Sequence, residues 1–167
     1  MIKSLKFMTV LFFVLLMSCG GKEEKKKESF TLKKKTETES TVAVKKTNTL
    51  ASARVDMENK GIGPIKSVQL GSEIDQSMAT HGADVYKKMC TACHRPDKKF
   101  IGPAPIGVLE RRTPEWIMNM ILNPEEMVQK DPLAKDLLME FNGSPMANQN
   151  LTQEEARAVL EYFRTLK

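Results

Sequence analysis

The chain contains few of the side chains that usually bind metals or act as nucleophiles. It has 3 cysteines and 2 histidines among 167 residues. A structural zinc site takes four such ligands, and no second Cys or His pair is present to complete one. No stretch alternates between apolar and polar residues as a half-buried strand does. No apolar run reaches the roughly 18 residues that a membrane-spanning helix needs. The sequence thus argues against a structural zinc site, a sheet protein and a spanning helix.

Most of these scarce residues lie together in Cys90-Thr-Ala-Cys93-His94. A thioredoxin-like redox pair is one interpretation, but it favours a strand before the motif and a helix after it. Here a helical pattern precedes the motif and Pro96 follows it. C-x-x-C-H fits covalent haem attachment better, with Cys90 and Cys93 joined to the two vinyl groups and His94 as the proximal iron ligand. The sequence therefore predicts one c-type haem per chain.

The N-terminus has the pattern of an export signal. Lys3 and Lys6 precede an apolar run of 11 residues, 7–17, which ends at Ser18-Cys19. This arrangement resembles a bacterial lipobox, which implies a signal peptide over residues 1–18, cleavage before Cys19 and lipidation of Cys19. An uncleaved anchor or a plain signal peptide are the alternatives. We expect an exported protein, lipid-anchored in the cell envelope and facing the periplasm or the exterior.

A polar, lysine-rich stretch follows the signal. Residues 20–48 carry 9 lysines and 5 acidic residues, whereas residues 49–167 carry 15 basic and 16 acidic side chains. The basic character therefore belongs to the leader and tail, and it does not indicate a nucleic-acid partner. We predict a lipidated, disordered tether over residues 19–60 and one folded domain over residues 61–167. The tether lysines either contact anionic lipids or are simply solvated.

Helix signals divide the predicted domain, and the fold class expected is all-α. Ser72, with Asp75 three residues later, predicts the start of a first helix that leads to Cys90. Thr113-Pro114 opens a short helix to about Leu122, and Asp131-Pro132 opens another that stops at Asn142-Gly143. Thr152 and Glu155 form a capping box for the last helix. The apolar segment Gly61–Gly71 is expected to pack along the domain as an extended strap.

The stretch from about residue 61 to residue 167 resembles a class I monohaem cytochrome c. The residues that carry this resemblance are the haem motif, Gly82 and Tyr86 in the first helix, and Val159, Tyr162 and Phe163 in the last helix. The resemblance implies a cytochrome c-like fold wrapped around the haem, in which these two helices cross. It also implies that Gly102-Pro103 presents a backbone carbonyl to the second ring nitrogen of His94. Pro105 is an alternative for that contact.

The sixth iron ligand is sought among 11 methionines. Met146 lies in a turn-rich loop before the last helix, where the family places its ligand. Helical methionines are more often core residues, although Met127 and Met139 stay open as alternatives. His81 precedes the motif on the same helix, and we expect it at the surface. Trp116 is expected in the core or as a haem contact.

A thioether opposite an imidazole suits an electron carrier. We expect a monomer, without catalytic residues, that moves electrons from a membrane-side donor to an exported reductase or oxidase. The first alternative is a haem-based peroxidase or gas sensor with a displaceable sixth ligand. The second is a structural lipoprotein with a redox C-x-x-C. Basic residues near the motif either form a docking patch for an acidic partner or a solvated face; they are Lys87, Lys88, Arg95, Lys98 and Lys99.

Overall fold

The structure is a computed structural model, and it describes residues 49–167. The described part is helical. Its elements are α1 (Gln76–Met89), a 3₁₀ helix (Val108–Glu110), α2 (Pro114–Leu122), α3 (Pro124–Lys130), α4 (Pro132–Glu140) and α5 (Gln153–Thr165). Between residues 49 and 167 the only β-type pairing is an isolated parallel bridge between Asp56 and Arg112. The all-α expectation is therefore confirmed. The predicted signal peptide, Cys19 and tether residues 20–48 lie outside the described residues.

The first and last helices cross at a glycine. A Cβ atom built on Gly82 would lie 1.9 Å from the carbonyl oxygen of Ala158, so no larger residue fits without moving one helix. Beside this crossing, the ring of Tyr86 lies 5.3 Å from the ring of Tyr162 and 5.8 Å from that of Phe163. Such offset and edge-on aromatic contacts fill the groove between two closely packed helices. The crossing fixes the end of α1, where the haem motif begins.

Three short helices follow one another between the motif and α5, and each has a proline in its first turn. Proline is favourable there because the first turn has unpaired N–H groups in any case. Thr113 and Asp131 cap α2 and α4 by accepting hydrogen bonds from the N–H groups of Trp116 and Ala134. These two helices begin where the sequence predicted. The helix α3 was not predicted.

The start of α1 differs from the prediction. Asp75 is the cap, and its carboxylate accepts the N–H of Met78, so the helix begins at Gln76 and not after Ser72. The N–H of Asp75 donates to the buried Glu161 on α5 at 2.9 Å. This contact between distant parts of the chain explains the choice of cap, because it fixes Asp75 against the domain.

Folded structure begins well before residue 61, which corrects the predicted boundary. Residues 49–75, here called the N-terminal segment, pack on the helices, and Ala51 is buried. Among the described residues, every buried polar or charged side chain forms a hydrogen bond with this segment; these are Arg112, Thr113, Glu115, Asn119, Asp131 and Glu161. The backbone N–H and C=O groups of a segment without helix or strand need other hydrogen-bond partners. Here side chains on or next to the helices supply them.

The Gly61–Gly71 part of this segment has no helix or strand, bends at residues 62–64 and lies on α2 and α3. Asn119 is fully buried and binds both the N–H and the C=O of Ile65 at 2.9 Å. The sulfur of Met127 accepts the N–H of Ile62 at 3.0 Å. Within residues 49–167 no helix is both long and apolar enough to cross a bilayer.

Candidate haem-attachment site

The haem motif lies in a tight turn that continues from α1. The N–H groups of Cys93 and His94 donate to the carbonyl of Cys90 at 3.0 and 2.9 Å, and the N–H of Cys90 donates to Tyr86. Because this turn continues the helical hydrogen bonding, the two thiols and the imidazole have fixed positions at the end of α1. Cys90 is half-buried and Cys93 is exposed.

A backbone carbonyl determines which nitrogen of His94 is available. The Nδ1 atom lies 2.8 Å from the oxygen of Pro103. A carbonyl can only accept, so Nδ1 carries the proton and Nε2 has the free lone pair. The carbonyl of Pro105 instead accepts the N–H of Val108 in the turn before the 3₁₀ helix. The imidazole is therefore oriented as a ligand that presents Nε2.

Gly102, which the sequence resemblance named together with Pro103, provides the space for this orientation. A Cβ on Gly102 would lie 2.4 Å from Cε1 of His94 and 2.8 Å from Nδ1. The N–H of Gly102 also donates to the carbonyl of Cys93 at 2.8 Å, which returns the chain to the motif. The signal in the sequence was the glycine before Pro103, which allows the backbone to approach the ring closely.

The two motif cysteines do not form a disulfide with each other in the described chain. Burial, together with the nearby Cys93, raises the pKa of Cys90 to about 11. The cysteines of disulfide oxidoreductases have lowered pKa values, because the thiolate is the attacking form. The surroundings of Cys90 thus do not lower its thiol pKa, as a redox C-x-x-C pair would require.

Met146 lies in the connection between α4 and α5, residues 142–150, here called the Met146 loop. Its side chain is partly buried against the core, whereas its neighbours Pro145 and Ala147 are exposed. Met139 is 70% exposed. The sulfur of Met127 is already occupied by the Ile62 N–H, and its side chain is fully buried under Gly61. Of these three methionines, Met146 is the one that points inward from a loop.

Trp116 is a core residue with its polar atom occupied. It is 4% exposed, and its indole N–H donates to Asp131 at 3.2 Å. Asp131, the N-cap of α4, is itself buried and also accepts hydrogen bonds from the Asn59 side-chain amide and from the N–H of Ala134. Trp116 was expected either in the core or in contact with the haem. The structure places it in the core, with its indole N–H bound to Asp131. His81 is exposed on α1.

These residues fit a covalently attached haem. Cys90 and Cys93 supply two thiols from one turn. Because Gly102 has no side chain, the His94 ring can lie against it while its Nδ1–H donates to the carbonyl of Pro103. Tyr86, one turn before Cys90, has a buried hydroxyl for which the described chain supplies no hydrogen-bond partner. Across residues 49–167 no cluster of His, Cys, Asp and Glu side chains could hold a metal ion by itself. An iron bound here would therefore depend on a porphyrin for most of its ligands.

Comparisons with known proteins agree with this site. The cytochrome c family model matches residues 79–167. The cytochrome c from Rhodothermus marinus is 44% identical, with a TM-score of 0.61 over 70% of this chain and 93% of the matched chain. An engineered form of that cytochrome matches equally well, at a TM-score of 0.61. The same engineered protein bound to a carbene intermediate matches at 0.58. A comparison with curated proteins gives no significant match. The cytochrome c fold is thus confirmed.

Proposed function

Because the chain belongs to the cytochrome c family and carries a covalent c-type haem, we propose that it is an electron carrier with His94 and Met146 as its axial ligands. A cytochrome c domain implies haem-based electron transfer. In the proposal, Cys90 and Cys93 hold the haem through thioether bonds, and the bound iron supplies the one-electron redox chemistry. The residues of this chain hold the group, fix its proximal ligand and close its distal side.

The observation that carries the proposal is the contact between His94 Nδ1 and the Pro103 oxygen. It leaves Nε2 as the only ring nitrogen able to bind iron, and it holds the ring in one orientation. Met146, directed inward from a loop between two helices, supports a thioether as the second ligand. Two strong axial ligands would keep the iron environment similar in both oxidation states, and the thioether opposite the imidazole would raise the iron's potential. No general acid, base or nucleophile has a role in this function.

The cellular setting is also part of the proposal. Bacterial cytochromes c are typically exported. The signal pattern of residues 1–18 and the position of Cys19 support lipid anchoring in the cell envelope. The carrier then acts as a monomer on a tether, with a membrane-side donor and an exported reductase or oxidase as acceptor. A tether raises the effective concentration of such partners without any new contact.

A docking face for an acidic redox partner is supported beside the motif. Met89, Phe100 and Ile101 are exposed apolar residues there. The guanidinium of Arg95 lies 4.3 Å from the centre of the Phe100 ring. Lys87 and Lys88 are exposed in the last turn of α1, and Lys98 and Lys99 are exposed in the loop after the motif. An apolar centre with a basic rim is suited to small, transient, charge-steered interfaces.

Charge reversal tests this face. The double variant Lys88→Glu/Lys98→Glu should slow oxidation of the ferrous protein by ferricyanide, an anionic probe, and should weaken the salt dependence of the rate. Lys135→Glu on α4 is the matched control. Equal rates in the double variant and the wild type would count against the docking face.

The axial ligands are tested by the optical spectrum of the ferric, haem-loaded protein. Met146→Ala should abolish the thioether-to-iron charge-transfer band. Met139→Ala and Met120→Ala, which change an exposed and a half-buried methionine, should retain it. A band that survives in Met146→Ala and disappears in either control would assign the ligand elsewhere. A high-spin wild type would favour a peroxidase or a gas sensor over a carrier.

A further inference from the structure

The first residues of the folded domain contact the helix that leads into the Met146 loop. The backbone N–H of Ser52 donates to Oε2 of Glu140 at 2.8 Å, and the Ser52 hydroxyl donates to Oε1 at 2.5 Å. Glu140 is the last residue of α4, two positions before the loop. One carboxylate therefore links the N-terminal segment with the base of the loop.

The base of the loop is a turn of two left-handed residues. Asn142 has a φ of 59° and Gly143 a φ of 70°. Their N–H groups and that of Ser144 donate to the last carbonyls of α4 and its cap, at distances of 2.8 to 3.2 Å. A Cβ on Gly143 would meet no atom within 4 Å. Gly143 therefore has no neighbour at its Cβ position, and the turn is held by its hydrogen bonds to the end of α4.

Beyond this turn the loop has little to hold it. Of the hydrogen bonds in the described chain, one joins residues 145–150 to the rest of the domain, from Asn148 Nδ2 to the carbonyl of Leu122 at 3.4 Å. The other bonds of this stretch are internal. The Met146 side chain is partly buried against the core, and Gln149 is also half-buried. Segments with few buried contacts and few hydrogen bonds are the ones that open locally in native proteins.

We propose that the Ser52–Glu140 contact is a latch that keeps the Met146 loop closed, so that the N-terminal segment regulates access to the distal side of the haem. This inference rests on the proposed function, in which Met146 is the distal ligand. A second contact supports the same turn from the proximal side, because the Lys99 ammonium lies 4.5 Å from the ring centre of the buried Phe141. Displacement of residues 49–52 would leave Glu140 without these donors. By reciprocity, opening of the loop would loosen the N-terminal segment.

The same pair of elements offers a matched control. Arg54 forms an ion pair with Asp136 at 2.8 Å, one turn earlier on α4 and further from the loop. It also joins the N-terminal segment to α4, but Asp136 is half exposed, and exposed ion pairs contribute little. A latch role predicts that loss of the Glu140 contact affects the loop and that loss of the Asp136 contact does not.

The test uses the haem-loaded full chain in the ferric state, with imidazole as the incoming ligand. At high imidazole the binding rate reaches a limit set by opening of the Met146 loop. Ser52→Ala and Glu140→Gln should raise this limiting rate about tenfold, and Asp136→Asn should change it less than about twofold. A second readout is independent of the iron. Hydrogen exchange at the amides of Asn142, Gly143 and Ser144 should accelerate by the same factor in the first two variants only.

Three results would overturn the latch. Unchanged limiting rates and exchange in Ser52→Ala and Glu140→Gln would show that the contact does not hold the loop. An equal acceleration in Asp136→Asn would show a general loss of stability. A wild-type rate that rises linearly with imidazole, with no limit, would mean that no protein ligand guards the distal side, and it would remove the proposed Met146 ligation together with the latch. The first two results leave the proposed electron-carrier function intact.

Discussion

The N-terminal segment and the Met146 loop both lack regular secondary structure, but the domain holds them in opposite ways. The segment is bound by buried side chains from α2, from α5 and from the N-terminal caps of α2 and α4. Residues 145–150 of the loop make one 3.4 Å hydrogen bond to another part of the described chain. Irregular backbone is therefore rigid where helices supply buried hydrogen-bond partners, and weakly held where they do not. This places the proposed distal ligand on the less constrained region.

Two asparagines give the largest contrast. Asn119 is fully buried and bonds to Ile65 and to the carbonyl of Lys60, all at 2.9 Å, whereas Asn148 is exposed. Asn119→Ala should lower the free energy of unfolding by about 3 kcal/mol, because it leaves buried backbone groups unpaired. Asn148→Ala should lower it by about 0.5 kcal/mol or less. Urea unfolding of both haem-loaded variants measures the difference, and similar losses would contradict the contrast.

The resemblance noted in the sequence foresaw the crossing at Gly82, and local signals gave the starts of α2, α4 and α5. At each of these helix starts the capping residue and its hydrogen-bond partner are three residues apart, as Thr152 and Glu155 are in α5. The local sequence is therefore enough to predict where the helix begins. The helix α3 spans only Pro124–Lys130, too short for an apolar period to show. The folded start of the domain was placed too late, because residues 49–60 look polar and their partners, Arg112 and Asp131, lie far along the chain.

The same limit applies to the candidate site. The haem motif and Pro103 follow short patterns that sequence reveals. The hydrogen bond from the Trp116 indole to Asp131 could not be predicted from such a pattern. The local sequence marks Asp131 only as the cap of α4, and no nearby residue indicates that it also binds Trp116. Contacts between distant buried polar groups depend on the packed structure, and a helix period does not report them.

Two glycines should give a smaller contrast. A Cβ on Gly63 would lie 2.4 Å from the Oδ1 atom of Asn119, so Gly63→Ala should cost about 2 kcal/mol through displacement of the N-terminal segment. Gly143→Ala meets no neighbour, and its strain from a φ of 70° should cost about 1 kcal/mol. Thermal unfolding checks the order. If Gly143→Ala lowered the stability more than Gly63→Ala, the Met146 loop and not the N-terminal segment would be the more rigid region.

Acidification should loosen the N-terminal segment, with the smallest effect of the three. Burial raises the pKa of Glu161, but hydrogen bonds from Arg157 and the Asp75 N–H, with the nearby arginine charges, outweigh it and hold the pKa below 4.5. Glu115, which binds the Val68 N–H and Lys60, has a lowered pKa for similar reasons. A carboxyl with a lowered folded-state pKa stabilises the fold above its unfolded value, and this stability is lost as the pH falls through the folded value.

The matched variant for this pH effect is Glu161→Gln. The wild type should lose stability between about pH 5 and pH 3, and Glu161→Gln should lose less over the same range while being less stable at pH 7. Urea titrations across this range provide the comparison. Parallel curves for the two proteins would show that Glu161 does not link the N-terminal segment to pH.

The most direct test of the electron-carrier account is the reaction of the ferrous, haem-loaded full chain with carbon monoxide. A carrier with Met146 bound to the iron predicts slow uptake that is limited by opening of the Met146 loop, and rapid uptake in Met146→Ala. Prompt binding in the wild type, at the same rate as in the variant, would contradict the account and would favour a ligand-binding or catalytic haem protein.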